Sequence, residues 1–277
     1  MAYIENIDYK TKIVGIIGHP IKHSFSPKLH NSTFNKLGLN FVYLPFDVPA
    51  SNLKESLKAM RTLNIRGVNV TIPHKEKIIQ FMDHVSEEAS TIGAVNTVVY
   101  EGNQFFGYNT DVNGIVESLN PYKEEIAKKT ATVIGAGGAA RAVLYALIRN
   151  FKVSKINLIN RTEERLDAIK DYFNDKMHFD SISTFELMPK ENLEIYQSSK
   201  LIINTTSLGM YPNNEDSPTD LEESFNSTHI VYDLVYNPLK TKFLEMAEKQ
   251  GAEIIDCLLY TSPSPRDRTR SRMPSSA

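Results

Sequence analysis

"KTATVIGAGGAARAVLYALIRN", residues 129 to 150, holds the reading on which the fold turns. It opens as an apolar strand, passes through a glycine-rich turn and continues as a long apolar-faced helix. In the turn, Gly135, Ala136, Gly137, Gly138, Ala139 and Ala140 spell G-x-G-x-x-A. The first glycine permits the tight turn, the second lets a pyrophosphate approach the backbone, and the small last residue lets helix and strand pack closely. The same residues would also make a bare turn. Their place between a strand and a helix is the context that argues for a dinucleotide site.

Downstream the pattern repeats. "VSKINLINR" (153–161) reads as the next strand and "TEERLDAIKDYF" (162–173) as the next helix. "SSKLIINTTSLGM" (198–210) and "HIVYDLVYNP" (229–238) supply two more strands, and "LKTKFLEMAEKQG" (239–251) a helix that leads into a short strand, "AEIID". The strand at 153–161 discriminates between cofactors. NAD binders usually carry Asp or Glu at its end to hold the ribose hydroxyls. This one ends Asn160-Arg161-Thr162, with Arg165 one helical turn further on. Guanidinium groups grip a 2′-phosphate in bidentate fashion, whereas a carboxylate repels it. Two solvated arginines are the plain alternative, but the helix dipole disfavours cations at that end unless an anion binds there. NADP is therefore expected over NAD.

Upstream lies a second α/β unit. "KIVGIIGHPI" (12–21) is a strand, "SPKLHNSTFNKLGL" (26–39) a helix with Pro27 near its start and Gly38 at its end, and "NFVYLPFDV" (40–48) a strand. A helix over 50–64 and a third strand, "GVNVTIP" (67–73), complete a βαβαβ order that favours a mostly parallel sheet. Val68, Val70 and Ile72 alternate with polar residues in that strand, which Pro73 stops just before His74 and Lys75. "GAVNTVVYEGNQFFGYNTD" (93–111) reads as a hairpin turning at Gly102-Asn103. These patterns give an α/β chain of two units, the second of them dinucleotide-binding, with a domain boundary near 112–129. Ser24 and Ser26, just before a helix, suit either capping or holding a small acid, and the segment alone favours capping.

The bulk numbers exclude more than they propose. The 277 residues suffice for two domains, and a formal net charge of −2 gives no reason to expect nucleic acid or membrane as a partner. No apolar run approaches the ~20 residues of a membrane span. A single cysteine, Cys257, leaves no internal disulfide and no multi-cysteine metal site, so no metal is expected. A cytoplasmic protein, monomeric or homodimeric, is the default. The last stretch, 259–277, turns abruptly to Ser, Pro and Arg and is read as a disordered or foreign tail.

"SFSPKLHN", "NVTIPHKE", "GAVNT", "GYNTD", "GAGGAARA", "NRT", "NTTSLGM" and "VYDLVYNP" stand in the order and spacing of the shikimate dehydrogenase family. The resemblance runs from about Ile13 to Asp256 and implies an α/β fold with an N-terminal substrate domain over 1–112, to which 239–258 returns, a Rossmann-type NADP-binding domain over 113–238, and a cleft between them. It implies reduction of 3-dehydroshikimate to shikimate by NADPH. It also implies that Ser24 and Ser26 hold the substrate carboxylate, against the capping reading, with Thr71, Asn96, Asp111 and Tyr236 lining the same pocket. Lys75 matches the family's catalytic lysine. Glu87, Thr205, Leu234 and the Asn160 to Arg165 segment match positions around the cofactor, beside the glycine turn.

A ketone that receives hydride leaves negative charge on oxygen, and a cation beside it stabilises that charge and delivers a proton. Lys75 is placed to do both, with Asp111 orienting it; a surface lysine beside a helix-capping Asp111 is the alternative. His19, His23, His30 and His74 read as loop or packing residues. One departure stands out. Cys257 occupies a position where the family carries glycine, and the residues beyond it supply neither the family's substrate-binding glutamine nor its closing helices. Two other readings stay open: a quinate/shikimate dehydrogenase using NAD, and an inactive dinucleotide-binding chain.

Overall fold

The computed structural model describes residues 7–22, 24–188 and 190–257. The reading of a tail over 259–277 lies outside these residues, as does that of His23. The chain begins with β1 (Lys12–Gly18), α1 (Ser26–Leu37), β2 (Phe41–Asp47), α2 (Leu53–Thr62) and β3 (Gly67–Val70). Gly38 ends α1 in the left-handed conformation at φ 64°, which costs a glycine little. Then come β4 (His84–Val85), α3 (Glu87–Ile92) and the hairpin β5 (Thr97–Glu101) and β6 (Gln104–Tyr108). The hairpin turns at Gly102 and Asn103, both at positive φ (57° and 64°), the combination a two-residue hairpin turn requires.

These strands form a mixed sheet in the order β2-β1-β3-β5-β6-β4. β1 runs parallel to both β2 and β3, whereas β5 runs antiparallel to its neighbours β3 and β6. α2 lays Leu53, Leu57 and Met60 on one face, against Ile17, Val68, Val70 and Val98. The third strand is shorter than its alternation suggests. It stops at Val70, and Ile72 is 60% exposed because the chain has already left the sheet.

The second lobe opens with α4 (Asp111–Leu119) and α5 (Lys123–Ile126) and continues through β7 (Thr130–Ile134), α6 (Gly138–Ala146), β8 (Lys155–Asn160) and α7 (Glu163–Met177). It closes with β9 (Ile182–Glu186), α8 (Leu193–Gln197), β10 (Leu201–Asn204), β11 (Ile230–Asp233), α9 (Lys242–Lys249) and β12 (Glu253–Ile255). Its sheet is parallel throughout, in the order β12-β11-β10-β7-β8-β9. Val112, Ile115 and Leu119 of α4 join Val143, Leu144, Leu166, Ile169 and Phe173 on one face. Tyr196, Phe225, Phe243 and Leu244 cover the other.

The expected return of 239–258 to the first domain is not what the structure has. β12 pairs parallel with β11, and α9 buries Phe243, Leu244 and Ala247 under the second sheet. The apolar pattern of this segment is that of any amphipathic helix and strand, so the pattern does not say which sheet they join. Among the described residues, no helix is long and apolar enough to cross a membrane.

Candidate active site

The order of the second sheet reverses between β7 and β10, and ligands of open α/β sheets bind at the carboxyl ends of such strands. Gly135 and Thr205 meet there. Gly135 adopts φ +113°, and a Cβ on it would lie 2.4 Å from Thr205 Oγ1. The Thr205 hydroxyl donates to the Ile134 carbonyl at 2.7 Å, so it braces the turn. Gly137 precedes α6 with no side-chain cap, and nothing lies within 4 Å of where its Cβ would be. A turn with open space before the bare N–H groups of a helix start fits a phosphate. Ala136 and Ala140 are buried beneath it and Ala139 is half-buried.

Asn160 ends β8 with its amide donating to the Thr162 carbonyl at 3.1 Å. Arg161 and Arg165 are exposed at the start of α7, and neither forms an ion pair among the described residues. Leu234, half-buried after β11, donates its N–H to the Asn204 carbonyl at 3.0 Å. Glu87 starts α3 in an exposed position and acts electrostatically on Tyr145, two turns along α6 from the glycines. α3 runs against α6 with its other end, Gly93 and Ala94, beside Arg141 and Gly138.

The hairpin accounts for the next group. Its register pairs Thr97 with Tyr108, so residues just outside it on either side are neighbours. Asn96 therefore reaches Asp111, donating to Oδ1 at 2.7 Å, and also donates to Thr110 Oγ1 at 3.0 Å. Its own side-chain carbonyl accepts from the Thr110 N–H at 2.9 Å and the Thr97 hydroxyl at 2.9 Å. With both ends of its amide engaged, Asn96 holds Asp111 in one orientation. The other carboxylate oxygen accepts from Lys75 Nζ at 2.7 Å; the two side chains are 17% and 27% exposed. Lys75 is thus a partly buried cation already aimed at its partner.

Two anchors fix its backbone. His74 is fully buried, with Nε2 2.6 Å from the Val48 carbonyl, so that nitrogen carries the hydrogen. The Lys75 carbonyl accepts from the Val95 N–H at 2.8 Å. His74 is a packing residue, as is His30, which stacks on Tyr43 at 4.3 Å. His19 pairs with Asp47 at 2.8 Å in its loop.

The serines do not cap α1. Its N-cap is Phe25, without a side-chain cap bond, and the Ser24 hydroxyl accepts from the Ser26 N–H at 3.3 Å. Tyr236 reaches from the second lobe to this segment, with its hydroxyl near the Phe25 backbone. Burial pushes that hydroxyl's pKa up, and the nearby Phe25 backbone opposes the rise. Thr71, half-buried, lies against Gly18, where a Cβ would stand 2.3 Å from its Cγ2. The structure brings together Lys75, Asp111 and Asn96 as one hydrogen-bonded set, and Tyr236 with the Ser24–Ser26 turn.

Some neighbours of the site are not visible in the sequence reading. Burial, with the Asp233, Asp111 and Asp256 carboxylates behind it, pushes the Cys257 thiol up to about 12, so it is neutral. Asp233, fully buried at the end of β11, accepts from Asn204, the Val235 N–H and the Thr241 hydroxyl. Burial nevertheless lifts its pKa to about 6. Asp233 lies within "VYDLVYNP", but its burial between polar neighbours on other elements is a long-range property that no local pattern signals. Among the described residues, no group of three or more His, Cys, Asp or Glu is arranged to hold a metal ion.

Comparison with known proteins agrees with this geometry. The shikimate dehydrogenase substrate-binding domain matches residues 16–98, and the shikimate/quinate 5-dehydrogenase family matches residues 118–213. The NADP(+) shikimate dehydrogenase of Caldanaerobacter subterraneus subsp. tengcongensis is 45% identical over 249 residues, 89% of this chain and 86% of that protein. A crystal structure of a shikimate dehydrogenase in complex with NADP+ is 38% identical with a TM-score of 0.82, over 92% of this chain and 87% of that one. The shikimate 5-dehydrogenase of Listeria monocytogenes, solved with shikimate and NAD, is 34% identical with a TM-score of 0.79, over 94% and 91% of the two chains. With its glycine turn, its lysine–aspartate pair and its two matched domains, the chain belongs to the shikimate dehydrogenase family.

Proposed function

We propose that this chain catalyses the reversible NADPH-dependent reduction of 3-dehydroshikimate to shikimate, with Lys75 as the proton-transfer group. The observation that carries the reading is the 2.7 Å contact between Lys75 and an Asp111 that Asn96 holds in place. Gly135, Gly137 and Gly138 with the bare start of α6 would hold the pyrophosphate, and Arg161 and Arg165 the 2′-phosphate. NADPH, when bound, supplies the hydride. Lys75 then stabilises the negative charge developing on the ketone oxygen and gives it a proton, while Asp111 keeps the ammonium oriented. Ser24 and Ser26 would anchor the substrate carboxylate, with Thr71, Asn96 and Tyr236 around the ring.

Single-turnover reduction of 3-dehydroshikimate, followed by NADPH absorbance and repeated with NADH, tests the reading. Turnover is expected with NADPH and weaker turnover with NADH. Dinucleotide binding without any turnover would leave only a dinucleotide-binding protein.

A further inference from the structure

Arg141 lies inside the glycine-turn stretch, yet it does not face the phosphate site. Gly138, Arg141 and Tyr145 fall at i, i+3 and i+7 on α6 and so share one face. That face meets the first lobe at three places. A Cβ at Gly138 would stand 2.9 Å from Lys75 Cβ. Arg141 Nε lies 3.5 Å from Glu76 Oε2, an ion-pair contact without a directed hydrogen bond. Tyr145 feels the charges of Glu88 and Glu87.

Arg141 is the most confined of the three contacts. Its side chain is 12% exposed, its guanidinium sits over the Tyr172 ring at 4.6 Å, and the Tyr172 hydroxyl donates to the Ser90 carbonyl at 2.7 Å. Gly93 makes room for it, since a Cβ there would lie 2.9 Å from both Arg141 Nη1 and the Tyr172 hydroxyl. A cation so enclosed, stacked on a ring and paired with one carboxylate, has little freedom to move.

The partner carboxylate is the residue next to Lys75. Residues 74 and 75 are tied to their own lobe through Val48 and Val95. Glu76 supplies the ion pair that ties this segment to the helix carrying the glycine turn. Hydride and proton reach the same carbonyl group from different lobes, so their alignment depends on how residue 75 stands relative to that helix. We infer that Arg141, through Glu76 and against Tyr172, is a positioning residue that sets Lys75 relative to the dinucleotide platform. The inference rests on Lys75 being the proton-transfer group.

Arg141→Met keeps the apolar stem over Tyr172 and removes the charge. It should lower kcat ~10–100-fold, the cost of a small misplacement of reacting groups, while shikimate KM and NADPH Kd stay within about 3-fold. Introduced into Lys75→Ala, the same change should alter kcat by less than about 3-fold, because the group it positions is gone. Arg141→Lys should recover part of the loss. If Arg141→Met melts below the assay temperature, Glu76→Gln, at a half-exposed residue, carries the same pair of measurements. A kcat within about 3-fold of the parent, an equal loss in both backgrounds, or a loss confined to binding overturns the inference while leaving the Lys75 reading intact. Near-parental kcat in Lys75→Ala overturns both.

Discussion

The two sheets each have six strands among the described residues, but they are covered differently. In the second, β10 and β11 are buried along their whole length, with α4, α6 and α7 on one face and α8 and α9 on the other. In the first, β3 and β5 alternate buried with partly exposed or exposed residues. One face packs on α2; the other is covered in part by α1 and carries a groove of about 370 Å³ lined by Val14, Phe34, Phe41, Tyr43 and Val99, among others. An all-parallel sheet needs cover on both faces, whereas a mixed one tolerates a wet side. The consequence is a division of labour. The fully packed lobe carries the glycine turn and, at the start of α4, Asp111, and the more open lobe contributes Lys75, Asn96 and the serine turn.

That division can be broken by experiment. The largest effect is expected on the chemistry. Lys75→Ala should cut kcat by ~10²–10⁴ with an unchanged melting curve and retained NADPH affinity. A fall in stability of the same size would put the lysine in the scaffold instead. Next, Ile203, fully buried in β10, should cost about 2–5 kcal/mol when truncated to alanine, read by urea unfolding. A loss below ~1 kcal/mol would mean that the second sheet is not the stiffer lobe.

Cofactor choice comes third. Arg161→Ala should weaken NADPH binding by about 1.5–3 kcal/mol and leave NADH nearly unchanged in calorimetric titration. Equal losses for both would remove the arginine from the 2′-phosphate.

Asp233 gives a pH-dependent effect. Its carboxyl rises from an ordinary 3.8 to about 6 in the folded chain, so the folded state holds a proton that the unfolded state releases. Its contribution to stability is therefore complete below about pH 4 and lost as pH rises toward about 6, with a slope of at most about 1.4 kcal/mol per pH unit. Asp233→Asn lacks that slope and should gain on the parent across this window, then run parallel to it above about pH 7. A gap that does not vary with pH would show that the hydrogen bonds to Asp233 outweigh its burial. Smallest of all, Val99→Ala on the groove side of β5 should change stability by no more than about 0.5 kcal/mol, the value expected of a partly exposed position.

Legibility in the sequence divides along the same line. The glycine turn, the Gly102-Asn103 hairpin and the strands β7, β8, β10, β11 and β12 are local signals, and each sits where its pattern places it. The short elements β4, α3, β9 and α8 have too few residues to show a period. The pairing of β12 with β11 is a long-range choice that no local pattern carries. In the site, the positions of Lys75 and Asp111 came from resemblance, but their coupling through Asn96 arises from hairpin register. Arg141 is silent in the sequence because its partner, Glu76, is 65 residues away (141 − 76 = 65).

At Gly138 the lobes stand as close as a backbone allows, for the stem of Lys75 occupies the volume that any side chain there would need. A single hydrogen atom is therefore the spacer between the glycine turn and the stem of Lys75. Substitution by alanine would work as a shim, prising the helix that carries the turn away from the segment that carries the lysine.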